Sequence, residues 1–156
     1  PEPYELLIDN QTVKEKAFLV ACGNASQYGN NAFIAPHANI QDGKMDITIL
    51  SPFGPLDIAP LAIQLFTKQI DRNSKIKTFK GKEVTIIRQN PGVMHLDGEP
   101  IMADSRIEIS VLPKSLNVLT PETVSFTEEV QNLFGEVPVF SIRNSLTSLD
   151  KSLWLD

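Results

Sequence analysis

The stretch Asp42-Gly43-Lys44-Met45-Asp46-Ile47-Thr48-Ile49-Leu50 decides the fold class. Asp-Gly signals a tight turn because both residues tolerate positive φ. After it, Met45, Ile47 and Ile49 alternate with Asp46 and Thr48, the period of two of a strand with one packed face and one wet face. Asp46 is accordingly expected to face solvent. The same pattern recurs along the chain. Tyr4, Leu6 and Ile8 alternate ahead of Asp9-Asn10, Val84 and Ile86 ahead of Asn90-Pro91-Gly92, and Ile107, Ile109 and Val111 ahead of Pro113. The run from Ala17 to Cys22 is apolar on both sides, as expected of a strand covered on each face.

Helices are fewer. Asp57 is placed to cap the amides of a first turn, Pro60 is tolerated inside that turn, and Ile58, Leu61, Ala62, Leu65 and Phe66 form one stripe ending near Ile70 to Asn73. A second, shorter helix is expected from Thr127 to Gly135, with Glu128 and Glu129 at its positive end. Pro113 to Pro121 reads as a strand or an extended connection. Val137 and Val139 alternate before the tail turns polar around Asn144 to Lys151, and Trp154 reads as a packing residue. Many short strands, frequent turns and one or two short helices argue for a mainly β fold, an antiparallel β-sandwich. The 156 residues are the size of one domain.

The formal net charge of −5 and the scatter of Lys and Arg exclude a coherent basic face, so nucleic acid is not an expected partner. The densest basic group, Lys75, Lys77, Lys80 and Lys82, reads as a solvated strand edge or loop. The acidity also argues against strong attachment to anionic headgroups. Cys22 is the single cysteine; it allows no internal disulfide and reads as a buried, inert thiol, in keeping with a reducing cytoplasmic compartment. No apolar stretch approaches the roughly 20 residues of a membrane-spanning helix, and no signal peptide is visible. The chain starts at Pro1 without an initiator methionine and is read as a piece of a longer protein.

Candidate chemistry lies in turns. Asp97-Gly98-Glu99 follows Val93-Met94-His95-Leu96, and on pattern alone it is a hairpin turn. A turn set beside a cleft would also present Glu99, ionised at neutral pH, as an acceptor for a hydroxyl proton. Asp42-Gly43 is fully accounted for as a turn, yet such a bend can aim one carboxylate and nearby backbone carbonyls at a single point, an all-oxygen set suited to Mg2+ or Ca2+. Gly23-Asn24-Ala25-Ser26-Gln27-Tyr28-Gly29-Asn30-Asn31 is a loop rich in residues that accept left-handed backbone. His37, His95 and Cys22 lack metal-ligand spacing and give no support for zinc. No serine sits in a nucleophile elbow, and no Walker or G-x-G-x-x-G loop occurs.

The ordered set Gly23-Asn24, Tyr28-Gly29, Ile34-Ala35-Pro36-His37-Ala38, Asp42-Gly43-Lys44-Met45-Asp46 and Asp97-Gly98-Glu99 before Val111-Leu112-Pro113 resembles the C-terminal domain of soluble bacterial diacylglycerol kinases, relatives of sphingosine and ceramide kinases. The resemblance covers about Tyr4 to Val118. It implies the C-terminal sandwich of the diacylglycerol kinase/NAD kinase-like fold, one domain over 1–156 with 119–156 as an extension, beside an N-terminal nucleotide-binding domain of the same protein that carries a Gly-Gly-Asp-Gly-Thr loop absent from this sequence. It implies that Glu99 is the general base that deprotonates a lipid hydroxyl for attack on the γ-phosphate of ATP. It also implies that Asp42 binds Mg2+ through its carboxylate, with Asn39 and Lys44 giving backbone carbonyls, and that Asp97 helps to orient the turn. The implied partners are the lipid substrate, the nucleotide domain, transient contact with a membrane surface, and a second copy in a homodimer. A domain without a phosphate cradle is not expected to catalyse alone. Family members commonly have a glycine run where this chain has Gly29-Asn30-Asn31, which keeps an inactive relative in view. A noncatalytic sandwich binding module, with both Asp-Gly pairs as plain hairpins, is the other reading.

Overall fold

Alternating apolar residues are seen in two facing sheets. The computed structural model describes residues 1–117, with strands β1 (Glu2–Ile8), β2 (Gln11–Ala17), β3 (Leu19–Gly23), β4 (Met45–Leu50), β5 (Ile76–Gly81), β6 (Glu83–Arg88), β7 (Gly92–Leu96), β8 (Glu99–Ala103) and β9 (Arg106–Ser110), and one helix, α1 (Ile58–Phe66). One sheet has the order β2-β1-β6-β9 and the second β3-β4-β5, while β7 and β8 form a separate hairpin. Every pairing is antiparallel. The expected helix from Thr127, the tail from Val137 and Trp154 lie outside the described residues.

Register explains the core. Leu6 pairs Ile86 and Ile8 pairs Val84, while Ile107 and Ile109 oppose Ile86 and Val84 from the other side, so one face of the first sheet is continuously aliphatic. It packs on Met45, Ile47 and Ile49 of β4 and on Ala17. Leu6, Ile47 and Ile49 are wholly buried, each contributing about 1.5–3 kcal/mol of transfer free energy. A smaller cluster, Leu61, Ile70 and Ile76 with Leu50, Phe53 and Leu65, lies under α1.

The chain changes sheet at two short corners. Phe18 separates β2 from β3, and its amide donates to the Leu50 carbonyl at 2.7 Å. Lys82 separates β5 from β6, and there Asp9 Oδ1 accepts the amides of Lys82 and Glu83, both at 2.9 Å. Gly81 sits in this second corner: a Cβ there would stand 2.6 Å from Ile8 Cγ2, closer than two carbons can approach.

Several expectations are corrected. The run Ala17 to Cys22 is not one strand covered on both faces; it breaks at Phe18, and β3 is an edge strand on which Leu19 is 38 % exposed. Helix α1 stops at Phe66, and of its stripe only Leu61 is buried, with Ile58 and Phe66 exposed. Asp57 does not cap α1: its Oδ2 accepts the Gly54 amide at 2.8 Å and closes the turn before the helix. The lysine group does lie on and beside an edge strand, β5, and is paired as well as solvated, with Lys77 on Glu15 and Lys75 Nζ 3.8 Å from Asp57. Pro113 to Asn117 contains no strand.

Asp46 departs most from the alternation. It is 8 % exposed, and every residue from Met45 to Ile49 is buried. The second face of β4 is covered by the chain around Phe33 and Ala35, both buried, and Thr48 Oγ1 donates to the Ile34 carbonyl at 2.9 Å. A loop that folds back over a sheet hides polar residues which the strand pattern alone assigns to water.

Candidate functional site

Glu99 opens β8 directly opposite Leu96. Asp97 (φ 50°) and Gly98 (φ 93°) fill the two central positions, the backbone of a type I′ hairpin turn. The turn reading of Asp97-Gly98 therefore holds, and its consequence is that Glu99 stands exposed at the hairpin tip. Its carboxylate makes no hydrogen bond or ion pair among the described residues. His95, paired with Pro100 on the same hairpin, is exposed as well.

The hairpin is fixed at its base by a residue that sequence patterns do not reveal. Arg88, the last residue of β6, donates from Nη2 to the carbonyls of Gly92 at 2.7 Å and Ala103 at 2.6 Å, and from Nε to that of Asp104 at 3.2 Å. One guanidinium thus ties both legs of the hairpin to the first sheet. Charge-assisted hydrogen bonds in this fork geometry are among the strongest that a protein makes.

The turn at Asp42 is built from its own side chains. Asn39 Oδ1 accepts the Gln41 amide at 2.9 Å, the Asn39 carbonyl accepts the Asp42 amide at 3.3 Å, and Asp42 Oδ1 accepts the Lys44 amide at 2.8 Å. Gly43 follows at φ 66°. The Lys44 amide, ahead of Lys80, holds the Asp42 carboxyl below its ordinary range despite an opposing effect of burial. Its second oxygen faces Lys80 Nζ at 3.2 Å.

Lys80 gathers more than Asp42. Its ammonium lies 3.0 Å from the His37 carbonyl and 3.1 Å from Asp46 Oδ2. The Asp46 contact is an ion pair by distance but lacks hydrogen-bond alignment, which leaves that buried oxygen without a donor. Burial pulls the Lys80 amine down, and the neighbouring Asp46 and Asp42 carboxylates more than offset it, so the net shift is upward. Beside the cluster, a cavity of about 200 Å3 is lined by His37, Asp46, Thr48, Asp71 and Lys80 among others. His37 Nε2 and Asp71 Oδ2 stand 3.3 Å apart across its rim.

The sequence-expected metal set of Asp42 with the Asn39 and Lys44 carbonyls is thus one continuous turn. Its donors are all oxygen, as a hard divalent cation requires, and the donor set fits Mg2+. Among the described residues no three His, Cys, Asp or Glu side chains cluster as a metal site. Cys22 is half-buried rather than fully buried, and burial pushes its thiol up to about 12.

Comparison with known proteins matches residues 1–120 to the family described as the YegS C-terminal NAD kinase beta sandwich-like domain. The diacylglycerol kinase of Mycobacterium tuberculosis is 29% identical over 126 residues, covering 78% of this chain. The "Probable lipid kinase YegS-like" proteins of Shewanella frigidimarina and Pectobacterium atrosepticum are 29% and 30% identical, over 77% and 70% of the chain. The chain spans 39% of the length of the first two and 35% of the third. A crystal structure from Bacillus anthracis str. Sterne superposes with a TM-score of 0.59 at 23% identity, over 72% of this chain and 38% of its own. A diacylglycerol kinase structure from the same strain gives 0.51 at 20% identity, over 74% and 44%; these two likenesses concern the fold.

Proposed function

Since this chain belongs to the YegS C-terminal NAD kinase beta sandwich-like family, the C-terminal domain of diacylglycerol kinase and YegS-like lipid kinases, we propose that it is the substrate-side domain of a kinase that phosphorylates a lipid hydroxyl with ATP. The observation that carries the reading is Glu99: an exposed carboxylate, without a partner among the described residues, on a hairpin whose turn and base are both fixed. In this role the Glu99 carboxylate accepts the proton of the lipid hydroxyl, the oxygen forms a bond to the γ-phosphorus, and ADP leaves with the electrons of the broken P–O bond. A base must be presented at a constant position to be effective. Type I′ backbone at Asp97-Gly98 sets its direction and the Arg88 fork sets its height above the sheet.

Asp42, with the carbonyls of Asn39 and Lys44, would hold Mg2+, which when bound supplies charge neutralisation near the transferred phosphate. The nucleotide is held by an N-terminal domain of the longer protein. The substrate is a hydroxyl-bearing lipid of the diacylglycerol type, met by transient contact with a membrane surface in the cytoplasm.

The test is made in the full-length protein. Glu99→Gln keeps size and hydrogen bonding but removes the basic oxygen, so the phosphorylation rate of diacylglycerol in mixed micelles is expected to fall at least a hundredfold, with the circular dichroism spectrum unchanged. A variant that retains turnover overturns the base role. A wild-type protein that phosphorylates no lipid overturns the kinase reading.

A further inference from the structure

Residues directly opposite each other in an antiparallel pair share one face of the ribbon, and faces alternate along each strand. The register of β7 and β8 therefore assigns every side chain of the hairpin to a face. Leu96 lies opposite Glu99 and Met94 opposite Ile101, so these four stand together. Val93 with Met102, and His95 with Pro100, stand on the other face. The face that carries Glu99 is otherwise apolar from the turn to the Arg88 fork: Leu96 is 58% exposed and Ile101 41%, with Met94 half-buried. Apolar side chains left exposed in a row mark a surface made for an apolar ligand or partner.

We infer that Leu96 and Ile101 form the bed on which the first methylenes of the lipid substrate's chains lie, and that they set which lipids reach Glu99. The inference rests on Glu99 as the acceptor of the hydroxyl proton. The Cβ of Leu96 stands about 5 Å from that of Glu99 across the ribbon, and Ile101, two residues along β8, is about 7 Å away. A hydroxyl and a chain of one molecule meet all three residues only if few bonds separate them. In a diacylglycerol the ester-linked chains start within that distance of the free hydroxyl. A lipid whose hydroxyl stands on a sugar or another large headgroup carries its chains beyond the reach of either residue. The bed thus selects by the separation of hydroxyl and chain. Its contacts are the same before and during phosphoryl transfer, so they bear on KM rather than kcat. Val93 and Met102 are exposed too but face away from the carboxylate, which makes them the internal control.

In the full-length protein, kcat/KM is compared for dioctanoylglycerol and dibutanoylglycerol, so that a general loss of activity cancels in the ratio. Leu96→Asn and Ile101→Thr are each expected to lower that ratio at least about fivefold, through KM, while Met102→Gln on the opposite face leaves it unchanged. Unchanged ratios in Leu96→Asn and Ile101→Thr overturn the bed, and so does an equal fall in Met102→Gln. A second measurement needs neither turnover nor a variant that folds. A diacylglycerol bearing a diazirine near the ester end of its chains is photolysed with the wild-type protein in mixed micelles, and the labelled residues are read by mass spectrometry. Label on Leu96 or Ile101, displaced by excess dioctanoylglycerol, is expected. Label on Val93 or Met102 instead, or none on the hairpin, overturns the proposal. If Leu96 or Ile101 is labelled while the wild type phosphorylates no lipid, the bed stands as a lipid-binding face and the kinase reading alone fails.

Discussion

Asp9 shows how much one carboxylate can organise without touching a ligand. It takes left-handed backbone at φ 49°, and its Oδ1 holds the amides of Lys82 and Glu83 at the corner where the chain crosses between sheets. Those N–H groups, Glu83 first and Lys82 second, hold its carboxyl below the ordinary range. A depressed value means that the folded state favours the ionised form, so the stabilisation is present above the unfolded-chain value near ~3.9 and is lost as pH falls through the lower folded value. Asp9→Asn keeps the left-handed tolerance and the acceptor but not the charge. Urea midpoints of wild type and variant are therefore expected to differ at pH 6 and to converge below about pH 4. Lost charge-assisted bonds that were merely structural decoration would leave the two curves parallel. At this scale the sequence was half legible: Asp97-Gly98 and Asp42-Gly43 read correctly as turns because their chemistry is local, whereas Asp46 read as exposed because its cover arrives from residues 33 to 35, outside the strand's own pattern.

Elements tell the same story in larger pieces. The alternating runs at Tyr4 to Ile8, Met45 to Ile49, Val84 to Ile86 and Ile107 to Ile109 all became strands, because a strand with one buried face carries its own register. The Ala17 to Cys22 run misled for the converse reason. Continuous apolar sequence does not say where a chain turns a corner, and Phe18 turns it here. Gly81 at the other corner is required by space rather than by dihedral angle: its substitution by Ala is expected to cost about 1–3 kcal/mol, as other overpacked sites do, measured by denaturant unfolding. Gly98 makes a contrasting control, since a Cβ there meets nothing within 4 Å and only the left-handed backbone is penalised, by about 1 kcal/mol. The β7–β8 hairpin depends on Arg88 for its attachment. Arg88→Met is expected to speed amide hydrogen exchange at Val93, Met94 and Ile101 while leaving Leu6 and Ile86 protected; uniform acceleration across both sets would show a global effect instead.

At the scale of the molecule, stability resides in the seam between the sheets. Leu6 and Ile47 are both wholly buried and belong to one cluster, though they come from different sheets. Each truncation to Ala is expected to cost about 2–5 kcal/mol. The double variant should lose less than the sum by at least about 0.5 kcal/mol, because the two side chains share one seam; strict additivity in urea unfolding would place them in independent packing units. The sandwich class was legible from the number and length of alternating runs. The partition into four-, three- and two-stranded sheets was not, since pairings such as Ile8 with Val84 join positions far apart along the chain and leave no local trace. Those distant pairings also set an order of events during synthesis. The β1–β2 hairpin can close as soon as residue 17 is free, yet its inner face, Leu6 and Ile8, waits for Met45 to Ile49 and then for Val84 and Ile86. At ribosomal rates of about 5–20 residues per second, that apolar face stays unfinished for several seconds, a window in which a nascent chain needs either a chaperone or a pause-free message.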